Sequence, residues 1–331
     1  MKTRLKTIFL KRKTFFFLGV ILNILFPALG YPQEVEIAKY PTRPINFIIP
    51  LPAGGNTDLA GRLIAKQAEK YLKQPIIPVN KPGGVLVIGT AAIATAKPDG
   101  YTIGLSLLSP MFIIPHLEKV PYDPIRDLKQ VIQFGAFNFG IVVKHDSPFK
   151  DFKDVVAYAR QNPGKIKYGC NVQGISHSIM EQIAKYEKVQ FTLVPYRVAS
   201  EGEMALLGGD IHLVVSDITY SLIEAGQTRL LLLCREEHSV EYPKTPNLKD
   251  LGYDIPCPLY LGIQGPKGLP EGIVKKLEEA FTKATKEQDF ANGMKAIYLP
   301  ILYRNNKELD DYVLQNYKAY GKILKEIGWI K

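Results

Sequence analysis

From Tyr31 onward the chain alternates short apolar runs with segments of helical spacing, and nearly every junction is marked by Gly or Pro. That alternation admits few architectures: strands separated by helices predict an α/β fold with mainly parallel sheets. Strands are expected at Ile45 to Ile49, Ile76 to Val79, Tyr101 to Leu105, Phe139 to Val143, Ile166 to Gly169, Thr192 to Val194, Ile211 to Val215, Leu230 to Leu233 and Leu259 to Gln264. Helices are expected at 58–72, 86–96, 152–161, 176–186, 201–207, 220–225, 271–286 and 306–327. No internal repeat is visible.

The first 30 residues differ from the rest. "MKTRLKTIFLKRKT" holds six bases and no acid, and "FFFLGVILNILFPALG" is apolar and ends in small residues. This predicts a secretory signal peptide, residues 1–30, cut after Gly30 and implying a periplasmic protein; an uncleaved anchor is the alternative. Without those bases the formal charge drops from +10 to +4, which argues against nucleic acid as a partner. Cys170, Cys234 and Cys257 lack metal-ligand spacing, and five histidines are scattered singly. No metal or cofactor is expected; a Cys234–Cys257 bridge is compatible with the count and supported by nothing else.

"PAGG" (Pro52 to Gly55), "NKPGG" (Asn80 to Gly84) and "CNVQG" (Cys170 to Gly174) each follow a strand and precede a helix. Turns of this kind lie at the carboxyl ends of strands, where open parallel sheets bind ligands. In "PLPAGGNTDLAGRLIAKQ" the glycines leave backbone amides uncovered ahead of a helix N-terminus, an arrangement suited to an anion. It is neither GxxxxGK[ST] nor GxGxxG, so phosphate-loop and dinucleotide readings both weaken. Ser176 and His177 raise the question of a hydrolase, but adjacent residues at a helix start do not face each other as nucleophile and base. No GxSxG is present, and no enzyme activity is expected.

Eight landmarks, in order, carry a resemblance: "YPTRPINFIIPLPAGGNTD" (40–58), "NKPGG" (80–84), "KPDGYTIGL" (97–105), "PYDPIRDL" (121–128), "NPGKIKYG" (162–169), "VPYR" (194–197), "LLGGDIHLVVSD" (206–217) and "GPKGLP" (265–270). From about Tyr40 to its end the chain resembles the Bug family, the extracytoplasmic solute-binding proteins of tripartite tricarboxylate transporters. The resemblance implies a two-lobed periplasmic binding protein, or Venus flytrap, that closes on a small organic carboxylate and delivers it to membrane subunits. Lobe one is expected to combine 31–138 with 259–331, and lobe two to hold 139–258; a monomer is expected. A ligand-binding component of a membrane sensor is the alternative output of the same fold.

What the resemblance implies for the site is a clamp with two jaws. Ala53, Gly54, Gly55, Asn56, Thr57 and Asp58 form one, with Gly174, Ser176 and His177 in the other. Asp58 repels a carboxylate at contact distance, so its expected part is cap and turn organiser. Ser176 and His177 are expected to donate hydrogen bonds to the ligand. Asp217 either meets a ligand ammonium or caps the helix from Tyr220, and Tyr196 and Tyr260 either wall the cleft or pack in the core. Ser109 lies in "SLLSPMF", where relatives have small polar residues, and "GISHS" carries Ile175 at a commonly polar position. Both departures predict an apolar cleft and a ligand with an apolar or aromatic body.

Overall fold

The computed structural model describes residues 37–331, apart from 197–198, 236–237 and 239–241. The expected signal peptide lies outside the described residues. The chain divides into two units, 1–42 and 43–331. Of the first, 37–42 are described and include a cis Tyr40–Pro41 peptide bond; all that follows concerns the second.

Two five-stranded sheets organise it. The first has the order β2-β1-β3-β10-β4, built from β1 (Ile45–Ile49), β2 (Ile76–Asn80), β3 (Thr102–Ser106), β4 (Leu128–Gly135) and β10 (Leu261–Pro266). The second has the order β7-β6-β8-β5-β9, from β5 (Phe139–Lys144), β6 (Lys167–Cys170), β7 (Thr192–Pro195), β8 (Leu213–Asp217) and β9 (Thr228–Leu233). The result is a two-lobed α/β fold. Each sheet is parallel on one side only: β1 pairs in parallel with β2 and β3, and β6 with β7 and β8. On the other side β10 runs antiparallel between β3 and β4, and β5 antiparallel between β8 and β9. These two strands enter from the opposite sheet, so they arrive at the edge where the parallel strands end and run away from it.

The helices follow from amphipathic spacing. In α1 (Asn56–Leu72), Ala60, Ile64, Ala65, Ala68 and Leu72 are buried, a stripe of i, i+4 periodicity that packs the helix on its sheet. Next come α2 (Val87–Ala94), the short α3 (Leu108–Phe112) and α4 (Ile114–Leu117), α5 (Phe152–Gln161), α6 (Ile175–Glu187), α7 (Ala199–Gly208) and α8 (Tyr220–Glu224). The chain closes with α9 (Glu271–Ala284), α10 (Gln288–Ala296) and α11 (Asn306–Glu326). Asn305 and Glu308 form a reciprocal capping box at the start of α11, which fixes where that helix begins.

Strand β4 was not expected from "LKQVIQFG", because Lys129, Gln130 and Gln133 interrupt its apolar pattern. Gln130 and Gln133 are nevertheless buried. Gln130 sits opposite Gln264 of β10 and donates to its Oε1 at 3.2 Å, and Gln133 donates to the Gly135 carbonyl at 2.9 Å. Buried amides with partners are tolerated where bare ones are not.

Candidate functional site

The carboxyl ends of β1, β2 and β3 share one edge of the first sheet, and those of β6, β7 and β8 one edge of the second. The turns leaving β1 and β6 are built alike. Each enters its helix through a glycine N-cap in extended conformation: Gly55 (φ −79°, ψ 163°) before α1 and Gly174 (φ −91°, ψ 175°) before α6. Neither helix start has a side-chain cap, so no side chain of the N-cap occupies the first-turn amides.

In the first turn, Ala53, Gly54, Gly55 and Asn56 are exposed and Thr57 half-buried. Gly54 has φ +98° and nothing within 4 Å of where a Cβ would stand, so glycine is required for conformation and not for space. Beneath it Asp58 is 1% exposed. Its Oδ2 accepts from Gly54 N and from Arg62 Nε, both at 2.9 Å, and its Oδ1 accepts from Asn80 Nδ2 at 2.8 Å. Asn80 also donates to the Leu51 carbonyl at 2.9 Å and accepts from Arg62 at 2.6 Å. Burial opposes ionisation of Asp58, but the Arg62, Asn80 and Gly54 bonds outweigh it and hold the carboxyl below its ordinary value. Asp58 is therefore the organiser of the turn. The Gly54 amide is turned inward to it, which leaves the amides of the α1 first turn, from Asn56 on, as those facing outward.

The second turn is deeper. Gly174 and Ser176 are buried, Ser176 to 5% exposure. His177 is held on three sides: its Nδ1 accepts from Gln173 N at 3.3 Å, its Nε2 lies 3.5 Å from Glu181 Oε1, and its ring lies 4.5 Å from that of Trp329. Both ring nitrogens of His177 thus have partners in its own helix and turn. Glu181, hydrogen-bonded first by His177 and also by Tyr168, is held below its ordinary pKa despite burial. No bond joins Ser176 to His177 among the described contacts, and the pair lacks the geometry of nucleophile and base.

The remaining expected residues divide between cleft edge and core. Ser109 is half-buried in α3. Its neighbours Leu107, Leu108, Met111 and Phe112 are buried, with Phe112 packed on Tyr260 and Tyr320 at 5.5 and 6.2 Å. Tyr260 itself is 0% exposed and shares a 2.9 Å hydrogen bond with Ser106. It is a core residue, because its ring fills the space between α3 and α11 and its hydroxyl finds a buried partner. Ile175 is also core. The apolar residues of "SLLSPMF" and "GISHS" thus face inward and supply no apolar cleft wall. Tyr196 is half-buried with its ring laid over Gly169 and Gly202, where a Cβ at Gly169 would come within 2.8 Å of it.

Asp217 ends β8 and accepts from Asn138 N at 3.0 Å, which ties it to the segment crossing from β4 into β5. Burial pushes its carboxyl up to about 7, with Glu203 adding repulsion against its hydrogen bonds from Asn138 and Ile218. A cavity of about 700 Å³ lies beside this crossing, lined by Asn138, Tyr220, Glu224, Tyr298 and neighbours from 291 to 301. It contains no residue of the two turns.

Sequence reasoning missed Arg62, Asn80 and Trp329. Arg62 stands four residues after Asp58, the spacing of a helical ion pair, and Asn80 opens "NKPGG"; both signals were present. Trp329 gave none, since its contact with His177 depends on how α11 returns to the second lobe.

The sequence from 60 to 329 matches the model of the tripartite tricarboxylate transporter family receptor, TctC. A protein of Cupriavidus necator described as "UPF0065 protein in gbd 5'region" is 34% identical over 302 residues, covering 91% of this chain and 92% of that one. The crystal structure of a TctC solute-binding protein from Polaromonas superposes with TM-score 0.75 at 26% identity, covering 87% of this chain and 99% of the other. A protein of R. palustris solved with adipate has TM-score 0.77 at 23% identity, covering 87% and 98%. With two sheets in this order, a glycine-capped helix start after β1 and after β6, and this match over most of its length, the chain belongs to the tripartite tricarboxylate transporter receptor family, whose members are solute-binding proteins.

Proposed function

We propose that the protein captures a small organic carboxylate in the periplasm and hands it to the membrane subunits of a tripartite tricarboxylate transporter. Lobe one comprises 31–138 with 259–331, lobe two 139–258, residues 1–30 direct export, and the protein acts as a monomer. The observation that carries the reading is the pair of glycine N-caps, Gly55 and Gly174, each leaving bare first-turn amides at the end of a strand. One helix N-terminus contributes about 0.3–1 kcal/mol to an anion, and about 2 when partly buried. Micromolar affinity needs about 8 kcal/mol, so two converging jaws and exclusion of water on closure are required.

In this reading the amides of Asn56 and Thr57 meet the carboxylate from lobe one, while those near Ser176 meet it from lobe two. Asp58 and His177 hold the turns from behind. A relative solved with adipate is consistent with a carboxylate ligand. Native mass spectrometry of the exported protein tests the proposal: a mass shift matching a small organic acid is expected. Retention of a non-acidic ligand, or turnover of an ester or amide by the purified protein, would overturn it.

A further inference from the structure

The turn between β2 and α2 carries a conformation that the anion site does not require. Gly83, Gly84, Val85 and Leu86 have φ of +121°, +54°, +48° and +74° in succession. Left-handed backbone is costly for any residue with a Cβ and most of all for a β-branched one, yet two of the four positions carry side chains. Core packing does not compensate at Val85, which is 41% exposed, and Ile88 one turn later is 55% exposed. Strain kept at an exposed apolar position points to a role for the side chains themselves.

The position of this turn says what that role is. β2 is the edge strand next to β1 and parallel to it, so the turn leaves the same sheet edge as the Pro52–Gly55 turn. Both turns start from neighbouring strand ends: Lys81 N donates to the Ile49 carbonyl at 2.8 Å, and a Cβ added at Gly89 of α2 would stand 2.7 Å from Pro50. On the other sheet, Val172 in the turn before α6 is 39% exposed. Each sheet therefore carries exposed hydrocarbon in a turn at its carboxyl edge.

We propose that Val85 and Ile88, with Val172 on the second jaw, form an apolar rim that selects carboxylates with a hydrocarbon body. The inference rests on the carboxylate reading above and adds the ligand's second half. Closure removes the rim and the ligand's chain from water together, so each added methylene strengthens binding by about fourfold where it is buried. Small polyacids such as citrate gain nothing from the rim.

Titration calorimetry with straight-chain monocarboxylates from acetate to octanoate, on protein freed of bound ligand by unfolding and refolding, tests this. The wild type is expected to gain affinity with each carbon. Val85→Gly removes the strained Cβ and the rim side chain at once, so it is expected to keep or raise the melting temperature while the gain per carbon falls below about twofold. Ile88→Ser is expected to flatten the series in the same direction. A chain-length dependence unchanged in both variants, or a flat series in the wild type, overturns the rim and leaves the carboxylate site standing. Failure of every carboxylate to bind overturns both.

Discussion

The two glycine-capped turns share a backbone plan and differ in what stands behind them. The Pro52–Gly55 turn is exposed and braced from within its own lobe, by Asp58, Arg62 and Asn80. The turn before α6 is exposed only as far as 173, the helix start from Gly174 is buried, and His177 in its first turn rests on Trp329, which follows the C-terminal helix α11. Lys185 of α6 likewise donates to the Glu326 carbonyl at the end of α11. The first turn is therefore braced by its own neighbours, and the position of the second depends on packing against α11 and the residues after it. The physical lesson is that bare amides alone do not make a rigid site, and a buried carboxylate or a stacked ring can each provide the rigidity.

Four substitutions would break or sharpen that contrast. The largest effect is expected for Asp58→Ala, which strands Gly54 N–H, the Asn80 amide and the Arg62 guanidinium. Arg62 is partly exposed and water recovers some of the loss, so the expected destabilisation is about 2–3 kcal/mol. Carboxylate binding should fall at least about a hundredfold, the equivalent of about 3 kcal/mol, and urea unfolding with calorimetry checks both; retained binding would show that the cradle holds without its brace.

Gly54→Val comes next. A β-branched residue at φ +98° costs about 1–3 kcal/mol, and relaxing that strain is expected to distort the turn, so binding is lost in a protein that still folds. Circular dichroism and calorimetry on the same sample separate the two effects. His177→Ala removes a ring from a contact between lobes and is expected to weaken binding by about tenfold, equivalent to about 1.4 kcal/mol. Trp329→Ala should reproduce that loss if the ring contact is what positions the second jaw. An effect equal to that of Asp58→Ala would erase the asymmetry between the jaws.

The smallest effect is a pH dependence at the crossing. The Asp217 carboxyl is raised to about 7 by burial, whereas an unfolded chain has it near about 3.9. The folded state therefore holds a proton that the unfolded state has released, and stability falls as pH rises between those values, levelling off above about 7. Asp217→Asn should remove that part of the slope, seen as urea midpoints that converge between pH 5 and pH 8. A slope unchanged in the variant would assign it to other groups.

Much of this was legible in the sequence where local chemistry decides. The turn "PAGG" announced its glycine conformation, and Asp58 bonds Gly54 N, Arg62 and Asn80 as a turn organiser would, but the helix starts two residues earlier than expected, with Gly55 and not Thr57 or Asp58 at its N-cap. "SLLSPMF" misled, because apolar residues at a strand end look the same whether they face a cleft or a core. Phe112 and Met111 pack inward only because α11 covers α3, a contact about 200 positions distant in the chain. β4 was missed for the same reason, since the Gln130 amide finds its acceptor, Gln264, on a strand more than 120 residues away.

By itself the sequence determined the alternation of strands and helices, the glycine turns and the family. Those depend on φ preferences, hydrophobic period and short motifs, all of which act within a few residues. Only the tertiary structure decided that each sheet is parallel on one side alone, that Tyr260 belongs to the core, and that His177 is spoken for by Glu181 and Trp329. It also revealed the left-handed Val85 and Leu86 beside the cradle. Such outcomes depend on which distant surfaces compete for the same side chain, and that competition is settled by packing.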